Sequence, residues 1–247
     1  MPDLTFTVEG AEAVTYAASP LLAFKLRVAN AYAEEQIASV VLTCQIRLDV
    51  TKRRYTDHER ERLRDLFGEP ARWGDTLRNM LWTFAATNVP PFTGSIVANL
   101  PVTCTYDFNL AAVKYFYSLE DGEVPLSFLF SGTVFYRSEE EGLQVEQIPW
   151  EKEATFRLPI QIWQQMIDHY YPNSAWLYLR RDAFDRLYRY KIDHALPTWE
   201  QVIDKLLPDA DQGSKIRSKQ TPSPADSGPR PPPAGAHTPD PRAEVTS

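Results

Sequence analysis

Apolar and polar residues alternate with period two through most of the first 157 positions. Leu4, Phe6 and Val8, then Leu22, Phe24, Leu26 and Val28, then Val40, Leu42, Cys44, Ile46 and Leu48 each put one side chain in two on a common face. That alternation predicts half-buried antiparallel strands. Ala17-Ala18-Ser19-Pro20 breaks the first two, and residues 30–36 form a polar connection. Further strands are predicted over 82–89, over 95–100 and at Val102, Cys104, Tyr106 and Phe108. Ala111, Val113, Tyr115, Tyr117 and Leu119 then alternate up to Glu120-Asp121-Gly122-Glu123, and 124–136 runs back. A hairpin turned at Asp121-Gly122 is predicted there, because Asp-Gly supplies the positive φ of a tight turn. Its apolar density on both faces marks a central place in the sheet. Two last strands fall near 143–148 and 154–158.

Helical signals are fewer. Thr56-Asp57-His58-Glu59 is a capping box, so a short helix is predicted to about Phe67, ending at Gly68 with Pro70 beyond. Trp73 to Leu81 reads as either a second short helix or loop. From Pro159 the period becomes helical, with Ile160, Trp163, Met166, Ile167 and Tyr170 on one face. A second helix holds Phe184, Leu187, Tyr188 and Lys191, and a third is capped by Thr198 and holds Val202, Ile203 and Leu206. The fold class expected is mainly β: an antiparallel β-sandwich, immunoglobulin-like or related, with a short inserted helix and a C-terminal helical cap over about 159–207.

Composition changes this picture mainly at one end. All 30 aromatic residues precede Pro208, and the eight prolines after it are accompanied by only Ile216 and Val245 as large aliphatics. Two such side chains cannot offset the entropy of ordering so long a segment. The domain boundaries expected are therefore a single domain over 1–207 and a disordered Pro-rich tail over 208–247. The tail's basic and acidic residues balance, so the body carries the net charge of −7. That charge disfavours nucleic acid and anionic membrane as partners. The first residues have neither a basic nor an apolar region of a secretory signal, and no apolar run is long enough to span a bilayer, so a cytoplasmic protein is expected.

Candidate chemistry is sparse. His58, His169, His194 and His237 repeat no close ligand spacing, and no metal or cofactor is expected. Cys44 and Cys104 fall on the apolar phase of their strands and are read as packed free thiols rather than a disulfide. Acidic runs (Glu120, Asp121 and Glu123; Glu139, Glu140 and Glu141) sit where turns sit, and are read as solvated rather than as the facing carboxylates of a glycosidase. Nucleophile-elbow, phosphate-loop and dinucleotide motifs are absent. Lys114 shares a predicted strand face with Leu110, Ala112 and Phe116, so it either meets an acid in the interior or packs its stem and sends the ammonium to water, the second being favoured. Arg53, Arg54 and Tyr55 before the first helix and Trp73 after it bring together the residue types enriched at interface hot spots. A similar group, Arg180, Arg181, Arg186, Arg189 and Tyr190, is interspersed with acids and reads as a solvated helix face.

Certain strings go further: Cys44-Gln45-Ile46-Arg47, Arg53-Arg54-Tyr55, Leu66-Phe67-Gly68, Trp73-Gly74, Cys104-Thr105-Tyr106-Asp107-Phe108, the run EDGEVPLSFLFSGTVFY over 120–136, Trp150-Glu151-Lys152-Glu153 and Tyr171-Pro172-Asn173. Over about residues 3–207 the chain resembles a bacterial family known as domain of unknown function 6084. The resemblance implies no activity, catalytic residue or cofactor; through an association with gene clusters for uptake nickel–iron hydrogenases it implies an accessory role. The function expected is that of a non-catalytic protein-binding or assembly domain with Arg53, Arg54, Tyr55, Trp73 and Lys114 as candidate contacts. The alternatives are a glycosidase-type hydrolase and a carbohydrate-binding module, the latter needing an exposed row of rings such as Trp150 with Tyr115 or Tyr117, all of which fall in segments that read as core.

Overall fold

The computed structural model describes residues 2–138 and 142–207. The tail over 208–247, His237 and the acidic run at 139–141 lie outside the described residues. Two compact units are present, Met1–Trp176 and the segment that begins at Leu177. Of the three helices expected as one cap, the first belongs to the first unit and the other two to the second.

The first unit is an antiparallel β-sandwich. One sheet has the order β1 (Leu4–Ala13), β2 (Leu21–Asn30), β6 (Ser95–Thr103). In the other, β3 (Gln36–Leu48) lies between β4 (Met80–Val89) and the long β7 (Glu123–Ser138). The short β5 (Phe92–Thr93) also pairs with β3, while β8 (Gly142–Gln147) and β9 (Glu153–Pro159) pair with opposite ends of β7. The alternating residues expected to face inward do so: Leu22, Phe24, Leu26 and Val28 of β2 and Val40, Leu42, Cys44, Ile46 and Leu48 of β3 are fully buried. Phe6 stacks on Phe130 at 4.4 Å, and Phe24 meets Phe128 edge-on at 5.1 Å, joining the two sheets through their rings.

Three expectations about elements are corrected. Residues 111–119 are not the first arm of a hairpin but lie in and just after helix α4, Leu110–Ser118. The stretch is apolar enough to satisfy both periods, and Asn109 decides between them by accepting the Ala112 amide as an N-cap. Ala112, Tyr115, Phe116 and Leu119, at helical spacing, are the buried hydrophobic residues. Gly122 does take a positive φ, +83°, in the turn that leads into β7. Residues 95–100 and 102 belong to one strand, because β6 pairs with β2 at the end of its sheet, where an edge tolerates Pro101; residues 104–108 lie beyond it in a turn. The inserted helix is broken at buried Leu63 into α1 (Asp57–Arg62) and α2 (Arg64–Phe67), with α3 (Trp73–Thr76) after a single 3₁₀ turn. Helix α5, Ile160–Tyr170, buries Ile160, Trp163, Met166 and Ile167 and packs against β1, β2, β9 and α4.

In the second unit, α6 (Arg181–Asp193) and α7 (Trp199–Leu206) form where helices are expected, α7 being capped by Thr198. Phe184 and Tyr188 of α6 meet the Trp199 ring at 5.4 and 6.4 Å. Among the described residues no helix is long and apolar enough to cross a membrane.

Candidate binding cleft

The connection from β3 to β4, residues 49–79, carries most of the singled-out residues, and buried Asp49 anchors it. One Asp49 oxygen accepts from Asn79 Nδ2 at 2.9 Å, and the other from Ser127 Oγ at 2.6 Å and Lys52 Nζ at 2.7 Å. Both ends of the connection are thereby tied to each other and to β7. Within it Thr56 and Glu59 form the reciprocal capping box, and Gly68, at φ +74°, turns the chain so that Trp73 Nε1 donates to its carbonyl at 3.0 Å.

Arg53 leaves the 3₁₀ turn Val50–Lys52 in an extended conformation and points its guanidinium inward, its side chain 7% exposed. It donates to Glu59 Oε1 at 2.7 Å and to the carbonyls of Asp121 and Glu123 at 2.6 Å each. Its Nε is buried without an acceptor. Glu59 also accepts the amides of Thr56 and Glu120, each at 3.0 Å. Burial alone would raise the Glu59 carboxyl, but these amides and the Arg53 guanidinium outweigh it and hold the group below its usual 4.5. This buried pair staples α1 to the turn at 121–123, where a Cβ on Gly122 would come within 3.4 Å of Arg53 Nη1.

Tyr55, next along, donates to the Val50 carbonyl at 2.7 Å and lies 3.0 Å from the buried hydroxyl of Tyr115. Burial pushes the Tyr55 hydroxyl up to about 12 and raises that of Tyr115 as well. The Tyr55 ring meets Trp73 edge-on at 5.5 Å, and Phe67 meets Trp73 from another direction at 5.6 Å. Between Arg53 and Tyr55, Arg54 is exposed and its guanidinium has no partner among the described residues.

These residues line a cleft of about 870 Å³. Arg53, Arg54, Tyr55 and Trp73 come together there, joined by Arg60 and Leu77, and no Asp or Glu lines it. Sequence reading missed Arg60 because it lies in a helix of alternating charges, where nothing marks one arginine from the next. A neighbouring hollow of about 690 Å³ shares Arg53 and Arg54 but is bordered by Glu59, Glu120, Asp121 and Glu123.

Lys114 stands apart from the cleft. On a helix its position is outward, away from the buried Ala112 and Phe116, and its ammonium pairs with Asp65 of α2 while half exposed. The interior strand face expected for it does not exist; the ammonium reaches the surface, as the favoured alternative had it. The rings suggested for sugar binding are also corrected. Tyr115 is fully buried, Tyr117 is exposed on the same helix beneath the Arg62 guanidinium at 5.3 Å, and Trp150 is 88% exposed in the turn before β9 rather than in the core. Tyr115 and Tyr117, being helical, line no sheet face.

The other chemical groups are accounted for by local contacts. Cys44 and Cys104 are free and buried, and burial pushes both thiols up to about 12, far from the reactive thiolate. His58 Nδ1 contacts Glu120, and His194 Nδ1 lies 3.0 Å from the Tyr190 carbonyl. Among the described residues no three His, Cys, Asp or Glu side chains are grouped to hold a metal ion. The arginines of α6 are exposed, and Arg180 just before it pairs with Asp182 at 3.2 Å.

Comparison with known proteins gives one extensive match, to a family described as "Family of unknown function (DUF6084)", over residues 1–215. No curated protein matches the chain. A solved structure from Pyrococcus furiosus, a CARDB domain in complex with di-metal ions, is similar at 14% identity, covering 64% of this chain and 92% of its own with a TM-score of 0.24.

Proposed function

The chain belongs to the family of unknown function DUF6084, and from that premise we propose that it is a non-catalytic accessory domain that binds a protein partner through the cleft on the β3–β4 connection. The observation that carries this reading is Arg54, an exposed guanidinium without a partner among the described residues, held in a concave surface beside Tyr55 and Trp73. Arg, Tyr and Trp are the residues on which interface energy concentrates, because each offers a large rigid contact together with a polar group. The buried carboxylate paired with Arg53 supports binding over glycosidase chemistry: Glu59 is held low by its donors, whereas a glycosidase acid is held high.

The uptake nickel–iron hydrogenase system implied by the family resemblance is the first partner system to test, and the reading places the protein in the cytoplasm, where free Cys44 and Cys104 are at home. The test is co-purification of tagged full-length chain from its native host. A stoichiometric protein should be retained by the wild type and by Arg189→Glu, a charge reversal on α6, and reduced about tenfold by Arg54→Glu. Equal recovery with all three proteins would overturn the cleft as the contact surface.

A further inference from the structure

We propose that the occupant of this cleft is an acidic peptide segment, with a carboxylate on Arg54 and Arg60 and a neighbouring apolar side chain against Trp73 and Leu77. The inference rests on the protein-binding reading and adds the chemistry of the partner.

The charge arrangement carries it. Three arginines line the cleft with no acid among them, in a chain whose net charge is −7. Their states differ. Arg53 is already neutralised by Glu59 and held by two carbonyls, so it shapes the cleft floor. Arg60 pairs at 3.0 Å with Asp57, a carboxylate that is 98% exposed and therefore readily exchanged. Arg54 has no partner among the described residues. The cleft thus offers one free guanidinium and one loosely held one, a number suited to one or two carboxylates and too few for the extended phosphate track that a nucleic acid needs. Guanidinium forks bind carboxylates through paired N–H donors.

The rest of the wall selects a peptide over a bare anion. Trp73, only 9% exposed, backs the cleft between Tyr55 and Phe67, and the half-buried Leu77 and Pro70 add aliphatic surface. A volume of about 870 Å³ falls in the range of ligand clefts and exceeds what one small anion fills. The net charge of −7 disfavours non-specific contact with an acidic segment, whereas the acid-free lining of the cleft favours it there.

The experiment uses full-length chain, ¹⁵N-labelled on arginine, titrated with the peptide acetyl-EDLEEFDE-amide, with its analogue carrying Gln and Asn for Glu and Asp, and with inorganic phosphate. The acidic peptide should shift the Arg54 and Arg60 side-chain resonances and weaken about tenfold between 50 and 500 mM salt. The amide analogue and phosphate should leave them in place, and Arg54→Gln, at an exposed position that does not threaten folding, should weaken the peptide by about tenfold. Equal binding of the amide analogue, a response to phosphate alone, or full binding by Arg54→Gln would each overturn the inference. A partner recovered by co-purification that Arg54→Glu releases, but with no response to the peptide, would leave the protein-binding reading standing and remove the acidic one.

Discussion

Arg53 and Arg54 are adjacent and chemically identical, yet the fold uses one and leaves the other. Extended backbone sends their side chains to opposite sides, Arg53 to Glu59 and the 121–123 carbonyls, Arg54 to solvent. The sequence placed both in the candidate site but did not rank them, since two of Arg53's three acceptors, the carbonyls of Asp121 and Glu123, lie 68 and 70 residues away. Glu59 was legible as a cap from Thr56-Asp57-His58-Glu59, but its second task, pairing with Arg53 and Glu120, was not. Removing one partner of a buried pair leaves the other uncompensated, so Arg53→Ala should lower unfolding free energy by about 3 kcal/mol in urea titration at pH 7. The Glu59 carboxyl is held below its usual 4.5 in the folded state. Its contribution is present above that value and is lost as pH falls through the folded-state pKa. Glu59→Gln should therefore be less stable at neutral pH and lose less than the wild type on acidification below 4.5, which urea midpoints at pH 7, 5 and 3 will measure.

Among elements, the strands were readable because each has one face on a shared core, and burial imposes period two on its residues. Helix α4 was not, because both of its possible periods were apolar. The deciding signal lay just outside it, in Asn109, whose side chain caps the helix and donates to the Trp82 carbonyl at 2.8 Å. Asn109→Ala should cost about 2 kcal/mol, a lost cap plus a lost tie to β4, by thermal or chemical unfolding. Gly132 in β7 is a second such position. A Cβ there would stand 2.1 Å from the Val41 carbonyl oxygen, at φ +143°, so β3 and β7 can pair only past a glycine. Gly132→Ala should destabilise by more than about 3 kcal/mol or prevent recovery of folded protein, whereas Gly74→Ala, with open space around it, should unfold close to the wild type.

For the molecule as a whole, the β-sandwich followed from alternation and the absence of any repeat, while the division near Trp176 did not, since periodicity marks helices without saying which core they join. The cleft was legible as a list of residues and not as a place: Arg53, Arg54, Tyr55 and Trp73 read as neighbours of one helix, but their convergence depends on Asp49 holding the ends of the connection together and on Gly68 turning Trp73 back. Function at this scale rests on the claim that the cleft is where a partner sits. The most direct measurement places a photo-crosslinking amino acid at Ala71, which lines the cleft, and separately at Val97, exposed on β6, in full-length protein in its native host. A covalent adduct with a partner protein is expected from Ala71, abolished by Arg54→Glu, and none from Val97. Adducts from Val97 with none from Ala71, or an Ala71 adduct indifferent to Arg54→Glu, would contradict the claim.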